Sequence, residues 1–269
     1  MSIKVSAIIN TCNEARHLPA CVESVRQVAD EVVVCDMESD DGSKRVAREL
    51  GCRLIAHPRM PAAEPEARIA AIEASSGEWI FVFDPDMRIS ARTASRLRQI
   101  VDNDEADIID FFCDNYCFGR HCPHGHGSQP VFRKMFKRSC FKPNPRNIHT
   151  FWHDSLSGRV LRMPRSCPLV HLAYENVEEC VETLSRYARR LAEQAVAEGR
   201  RPSAARMVWR PLKRFTGNYL LRRGFLDGIP GVIINVLVSW YIFLEEAYIW
   251  ETAGTTAGGG PLSPESKHD

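Results

Sequence analysis

Residues 4–84 switch back and forth between two hydrophobic periods, and this alternation restricts the possible folds more than any other feature. "KVSAIIN" (4–10), "EVVVCD" (31–36), "CRLIAH" (52–57) and "EWIFVFD" (78–84) are short β-rich runs. Between them lie the helical patterns "LPACVESVRQVA" (18–29), "SKRVAREL" (43–50) and "EARIAAIEAS" (66–75). Strands alternating with helices build βαβ units and a mostly parallel sheet. The runs are apolar without clean alternation, which suits strands covered on both faces. A further strand is predicted over 107–113 ("DIIDFFC"), and others within "HTFWHDSLSGRVLRMP" (149–164) and "CPLVHLAY" (167–174). The expected class is α/β.

Sheets of this kind bind ligands beyond the carboxyl ends of their strands. Those ends carry Thr11, Asn13 and Glu14, then Asp36 followed by "ESDDGS" with Asp41, then the "DPD" of Asp84 and Asp86. Three polar clusters at consecutive strand ends should meet in one crevice. No G-x-G-x-x-G follows the first strand, and the chain contains no G-x-x-x-x-G-K-[ST]. A dinucleotide fold has little support and a P-loop is excluded.

Two aspartates around Pro85 could form an ordinary surface turn. The alternative is a pair of oxygen ligands for a hard divalent cation, Mg²⁺ or Mn²⁺, which favours carboxylates. Asp41 and its neighbours also have a bland reading, because "SDDGS" is good turn and helix-capping chemistry. Thr11, Asn13 and Glu14 could simply cap a helix, and Arg68 could be a solvated helix charge.

From residue 176 the pattern becomes helical. Between Arg186 and Arg223 eleven Arg and Lys face two Glu, a local balance of +9 in a chain whose formal net charge is +1. An apolar run, Gly228 to Leu244, follows this basic stretch. It is shorter than the roughly 20 residues that span a bilayer. A basic approach to an apolar helix suits an interfacial position on an anionic leaflet; packing on protein is the other reading. Ten cysteines scattered in part through apolar runs, and an N-terminus that enters a strand directly, fit a reducing cytoplasm. The expected organisation is a catalytic domain over 1–175, a helical region over 176–252 with peripheral membrane contact, and a disordered Gly/Ser/Thr/Pro-rich tail over 253–269.

"VSAIINTCNEARHLPACVESV", "DEVVVCDMESDDGS", "ARIAAIEASSGEWIFVFDPD" and "FWHDSL", taken in order, resemble family 2 of the inverting nucleotide-sugar glycosyltransferases. The similarity looks closest to the branch that adds a sugar to the lipopolysaccharide core. It extends over about residues 3–251 through "RYARRLAEQA" and "PLKRFTGNYLLRRGFLDGIPGVIINVLVSWYIFLEEAYIWE". The resemblance implies a GT-A fold and transfer from a nucleotide diphosphate donor, with a UDP-sugar expected. The acceptor would be a glycan or glycolipid of the cell envelope, at the inner face of the cytoplasmic membrane; no nucleic acid is expected. On this resemblance Asp86 and Asp84 hold the divalent metal, with Asp84 near the ribose or metal. Asp36 and Asp41 contact the nucleoside, Thr11, Asn13 and Glu14 hold base and ribose, and Arg68 lies near the donor. The branch usually has a small residue between the aspartates, an acid after them and Asn after the basic position; this chain has Pro85, Met87 and Ile69.

Inverting transfer needs a base for the acceptor hydroxyl. Where the branch has His-Glu, this chain has His153-Asp154, so Asp154 is the expected base, with Asp110 and Asp114 in reserve. "CDNYCFGRHCPHGHG" (113–127) offers Cys113, Cys117, Cys122, His124 and His126, but not at a standard zinc spacing. A mobile loop beside the active site, with glycines that permit closure, is the better expectation. Two rival functions stand at this point. A sugar-nucleotide nucleotidyltransferase would open on a Gly-rich loop, which "NTCNEARH" lacks. A zinc-binding interaction module would rest on the Cys/His stretch.

Overall fold

The computed structural model describes residues 4–59, 64–127, 132–142 and 156–256. The chain divides into two compact units, Met1–Asn115 with Gln129–Ala173, and Tyr116–Ser128 with Tyr174–Asp269.

The first unit opens as its periodicity predicts: β1 (Val5–Thr11), α1 (Leu18–Val25), β2 (Glu31–Asp36), α2 (Ser43–Glu49), β3 (Arg53–Ala56), α3 (Glu64–Ala74) and β4 (Trp79–Phe83). After β5 (Met87–Ile89) and α4 (Ala91–Asp102) come, in chain order, β6 (Ile108–Phe111), β7 (Cys113–Cys117), β8 (Arg120–His121), which belongs to the second unit, and β9 (Phe132–Lys137), then β10 (Val160–Arg162) and β11 (Leu169–Tyr174). Seven strands form one sheet in the order β10-β6-β9-β4-β1-β2-β3. β1 runs parallel to β2 and β4, β2 to β3, and β6 to β10. Only β9, between β4 and β6, is antiparallel to its neighbours.

All of β1 and β4 is buried, as continuous apolar strands covered on both faces should be. One face carries Val5, Ile9, Phe81, Phe83 and Phe111 against α1 and α4, and the other carries Ile8, Val33, Ile80 and Phe136 against α3. α4 starts at Ser90, whose hydroxyl accepts the Thr93 N–H at 3.1 Å and satisfies one of the first-turn donors. At the far end of α3, Arg138 donates to the carbonyls of Ile72, Ser75 and Gly77, so one guanidinium closes the α3–β4 turn.

β9 and β5 were not legible as strands. β9 reads "FRKMFK", three cations in what proves to be an interior strand, and this disguises it. The cations are neutralised in place: Arg133 pairs with Asp110, Lys134 with Asp84, and Lys137 with Asp104 and Asp107.

In the second unit, α5 (Val177–Ala197), α6 (Ala204–Phe215), a π-helical turn (Thr216–Leu221), a 3₁₀ turn (Gly224–Asp227) and α7 (Gly228–Thr256) follow in order. α7 packs against α5 and α6, burying Ile234, Val238, Ile242 and Ile249 at helical spacing. It is long and apolar enough to cross a membrane by length and composition, although a third of its most apolar window is buried within this protein. Glu245 and Glu246 are buried on it and take Arg200, Arg206 and Arg210 as partners. Three arginines of the basic stretch are therefore engaged internally by two carboxylates, which the charge count alone could not reveal.

The reading of 113–127 as a mobile loop with closure glycines is corrected. Gly125 lies in a short 3₁₀ turn, and a Cβ there would come within 2.8 Å of the Gly224 Cα and the Asn235 side chain. That glycine serves close packing within the C-terminal unit. The His124 ring pairs with Asp227 at 2.6 Å, and the His126 N–H donates to Asn235 Oδ1. Tetrahedral structural zinc needs four ligands, and among the described residues no group of three or more His, Cys, Asp or Glu could hold a metal.

Candidate active site at the carboxyl edge of the sheet

β1, β2 and β4 are adjacent and parallel, so their carboxyl ends lie side by side and carry the three polar clusters to one edge. Thr11 and Asp36 are register partners at the ends of β1 and β2. The loops beyond them are locked together by backbone N–H donors. Asn13 N donates to Ser39 Oγ, Asp40 N to Asn13 Oδ1, Glu14 N to Ser43 Oγ and Ala15 N to Asp41 Oδ2, each at 2.9 Å. Asn13 makes its share possible by adopting φ +61°, a left-handed conformation that asparagine tolerates better than most residues.

Within this lattice the predicted residues divide. Both Asp41 oxygens are engaged, one by the Ala15 N–H and the other by the N–H and hydroxyl of Ser43. Burial raises its carboxyl, but the Ser43 and Ala15 donors outweigh that and hold it below the usual range. Asp36 is 1% exposed; its Oδ2 accepts from Ser39 N and faces Lys44 at 3.4 Å. Its Oδ1 and the buried Thr11 hydroxyl have no hydrogen-bond partner among the described residues. A buried polar atom without a partner costs about 1–3 kcal/mol, so a ligand that satisfies both would relieve a real penalty.

β4 delivers Asp84 and Asp86. The turn between them is pinned by Arg88, which donates to the carbonyls of Pro85 and Met87 and to that of His17 at the start of α1. Asp84 accepts from Arg68 on α3 at 3.0 Å and from Lys134 on β9 at 2.5 Å. Burial alone would raise its pKa, yet the charges of Lys134 and Arg68 hold it far below the usual carboxylate range. Asp84 is thus fixed as an anion with both oxygens occupied.

Asp86 differs. Its backbone carbonyl is tied to Leu172 N, and its Oδ2 lies 3.1 Å from His171 Nε2. The other ring nitrogen of His171 lies 2.8 Å from Asn115 Oδ1, which fixes the plane of the imidazole. Burial pulls the His171 pKa down, but the contacts with Asp86 and Cys113 raise it to about 10. Asp86 Oδ1 is buried and has no partner among the described residues. Of the two aspartates, Asp86 is the one with an open oxygen.

The structure therefore brings Thr11, Asn13, Glu14, Asp36 and Asp41 to one loop lattice, and Arg68, Asp84 and Asp86 to the neighbouring strand end. It adds Lys134 and His171, which sequence reasoning missed. The signals were present but weak: a lysine in a β-run, and a histidine in "PLVHLAY" whose strand pairs with β5 so that His171 faces Met87 in register. Asp110, a reserve base, is held by two hydrogen bonds from Arg133. His153 and Asp154 lie outside the described residues.

The profile of Glycosyl transferase family 2 matches residues 6–153, more than half of the chain. Over 262 residues the chain is 22% identical to an uncharacterized glycosyltransferase of Rickettsia bellii, covering 92% of this chain and 86% of that one. It is 24% identical over 260 residues to the lipopolysaccharide core biosynthesis glycosyltransferase LpsC of Rhizobium meliloti, covering 93% of each. Among solved structures, S. aureus TarS 1–349 aligns with a TM-score of 0.54 at 15% identity, over 91% of each chain. The same protein in complex with UDP-GlcNAc aligns with a TM-score of 0.53. At such identity the structural likeness speaks for the fold alone, and the family match for the kind of enzyme. A GT-A arrangement of strands and helices, matched by the family profile across all three strand-end clusters, places this chain in glycosyl transferase family 2 as a glycosyltransferase.

Proposed function

We propose that the enzyme transfers a sugar, with inversion, from a nucleotide diphosphate donor to a lipid-linked or envelope glycan at the cytoplasmic face of a membrane. The observation that carries this is the set of buried oxygens without partners, Thr11 Oγ1, Asp36 Oδ1 and Asp86 Oδ1, on three adjacent strand ends. A nucleoside offers hydroxyl and N–H donors to the first two. Asp86 Oδ1 suits a divalent cation.

The donor set fits such an ion. Mg²⁺ is commonly held by one or two carboxylates plus substrate phosphates rather than by an all-protein cage. Asp86, with His171 beside it, would supply the protein side. When bound, the ion neutralises charge on the departing diphosphate. Arg68 and Lys134, gathered on Asp84, stand where they can meet the same negative charge. Asp84 then keeps the two cations in place, a role different from that of Asp86.

Asp154 takes the proton of the acceptor hydroxyl as that oxygen attacks the anomeric carbon opposite the leaving diphosphate. The similarity to LpsC supports an envelope glycan acceptor. TarS, whose structure includes UDP-GlcNAc, supports testing UDP-sugars first. The test is donor hydrolysis and transfer with several nucleotide sugars in Mn²⁺, Mg²⁺ or EDTA. We expect EDTA and Asp86→Ala each to abolish turnover, with Mn²⁺ or Mg²⁺ restoring only the chelated wild type. Full activity in EDTA would remove the metal from this scheme.

A further inference from the structure

The C-terminal unit contains an open pocket of about 500 Å³ along the seam between the α6–π-helical segment and α7. One stripe of that segment lines it: Arg210, Lys213, Arg214, Gly217, Asn218, Leu221 and Arg222, facing Ile242. The spacing of 3, 1, 3, 1, 3 and 1 residues is that of a single helical face.

Two features distinguish this pocket from an ordinary solvated basic face. First, Asn218 is only 3% exposed, and its Nδ2 has no hydrogen-bond partner among the described residues. Its Oδ1 accepts from Arg222, at 3.4 Å, which leaves the amide donor unsatisfied within a cationic pocket. A buried donor of this kind selects for an acceptor oxygen.

Second, the cations are unequally employed. Arg210 is committed to Glu245 and Glu246. Lys213 and Arg214 are exposed and make no ion pair among the described residues, although internal carboxylates have claimed Arg200, Arg206 and Arg210 on the same basic stretch. Lys213, Arg214, Arg222 and the Asn218 amide are all donors, the equipment for a phosphate.

The rim identifies the kind of phosphate. Leu221 lines the pocket yet is 83% exposed, and it is followed in the chain by exposed Phe225, Leu226 and Ile229, with Leu220 before it. On α6 itself Val208, Trp209 and Leu212 are exposed as well. A soluble phosphate ester gains nothing from such residues. A bilayer accepts both parts at once, phosphate in the cationic pocket and apolar side chains at the acyl boundary.

We propose that this pocket binds the phosphate of an anionic membrane lipid, with Leu220, Leu221, Phe225, Leu226 and Ile229 entering the bilayer around it. The inference deepens the membrane contact proposed above and rests on it. It moves the centre of that contact from the apolar run of α7 to the turn that precedes it.

The test is co-sedimentation of the full chain with vesicles of phosphatidylcholine alone or with 30% (about one lipid in three) phosphatidic acid, at fixed salt. Wild type should partition onto the anionic vesicles. Each Lys or Arg at an anionic surface contributes roughly fivefold in binding, so Lys213→Gln with Arg214→Gln should lower partitioning on the order of 20-fold. Asn218→Asp, nearly isosteric, should weaken it further, and Leu221→Ser should reduce it without changing its dependence on phosphatidic acid. Circular dichroism melting checks that each variant is folded, and nucleotide-sugar hydrolysis should be unchanged in all of them. Absence of wild-type binding to either vesicle would end the membrane reading itself. Equal binding to both vesicles, or a double variant that binds like wild type, would overturn the pocket alone. Inorganic phosphate that binds the vesicle-free protein as tightly, with the same dependence on Lys213 and Arg214, would show a soluble phosphate site and likewise overturn it.

Discussion

At the scale of single residues, Asp84 and Asp86 separate into two roles that the sequence presents as one motif. Lys134 is 7% exposed and paired with Asp84. Replacing it with Met would leave the half-buried Asp84 carboxylate with Arg68 as its ion-pair partner and only the more distant charge of His171 besides, and removing one partner of a fully buried pair typically costs about 3–5 kcal/mol. We expect Lys134→Met to destabilise the fold by an amount near the lower end of that range, read by urea unfolding, and to weaken donor binding in calorimetry. Asp154→Asn keeps volume and removes the proton acceptor. Its turnover should fall by about 10²- to 10⁴-fold, with donor affinity nearly unchanged. Near-normal turnover on the true acceptor would reassign the base; Asp110 is then a poor substitute, since Arg133 occupies both of its oxygens.

At the scale of elements, close packing decides more than propensity does. Gly77 precedes β4, and a Cβ there would meet the backbone N and the Oγ of Ser6 on β1, each at 2.6 Å. Gly77 N also donates to that Oγ at 2.8 Å. The strand cannot yield without breaking the parallel pairing of β1 with β4, so Gly77→Ala should cost about 1–3 kcal/mol, measured as a lower urea midpoint at unchanged slope. On α7 the buried Glu246 gathers Arg200, Arg206 and Arg210. Glu246→Ala takes the carboxylate from Arg206 and leaves Arg200 and Arg210 to share Glu245, and we expect a loss of roughly 3 kcal/mol. The more exposed Glu251, at 3.9 Å from Arg189, should cost well under 1 kcal/mol when replaced by Ala.

At the scale of the whole molecule, acid stability sums over carboxylates spread through the first unit. Burial raises the Glu31 carboxyl, but the Ser6 hydroxyl, the Ser76 N–H and Arg53 outweigh it and lower the pKa. Asp107 is held low by hydrogen bonds from Arg159 and Lys137, and Asp84 by Lys134 and Arg68 against its burial. A carboxylate whose pKa is depressed in the folded state contributes stability above its unfolded pKa of about 4. That contribution is lost as pH falls through the folded value. Unfolding free energy should therefore decline steadily below about pH 4.5, and Glu31→Gln should flatten the decline while lowering stability at pH 7. A variant whose acid limb matched that of the wild type would exclude Glu31 as a contributor.

The sequence by itself determined the strand–helix alternation, the parallel core of β1, β2, β3 and β4, and the convergence of Thr11, Asp36, Asp84 and Asp86 on one edge. These follow from local periodicity and from the rule that parallel strands present their carboxyl ends together. Tertiary structure decided what periodicity cannot encode. Lys134 and His171 join the site through strands distant in sequence, and β9 looked too charged to be an interior strand until Asp84 and Asp110 supplied its counter-ions. Gly125 looked like a hinge until its neighbours were seen to leave no room for a Cβ. The basic stretch looked uniformly available until Glu245 and Glu246, buried on α7, claimed three of its arginines. Each of these depends on a partner more than twenty residues away in the chain, and a pairing energy exists only once folding has brought both groups out of water together.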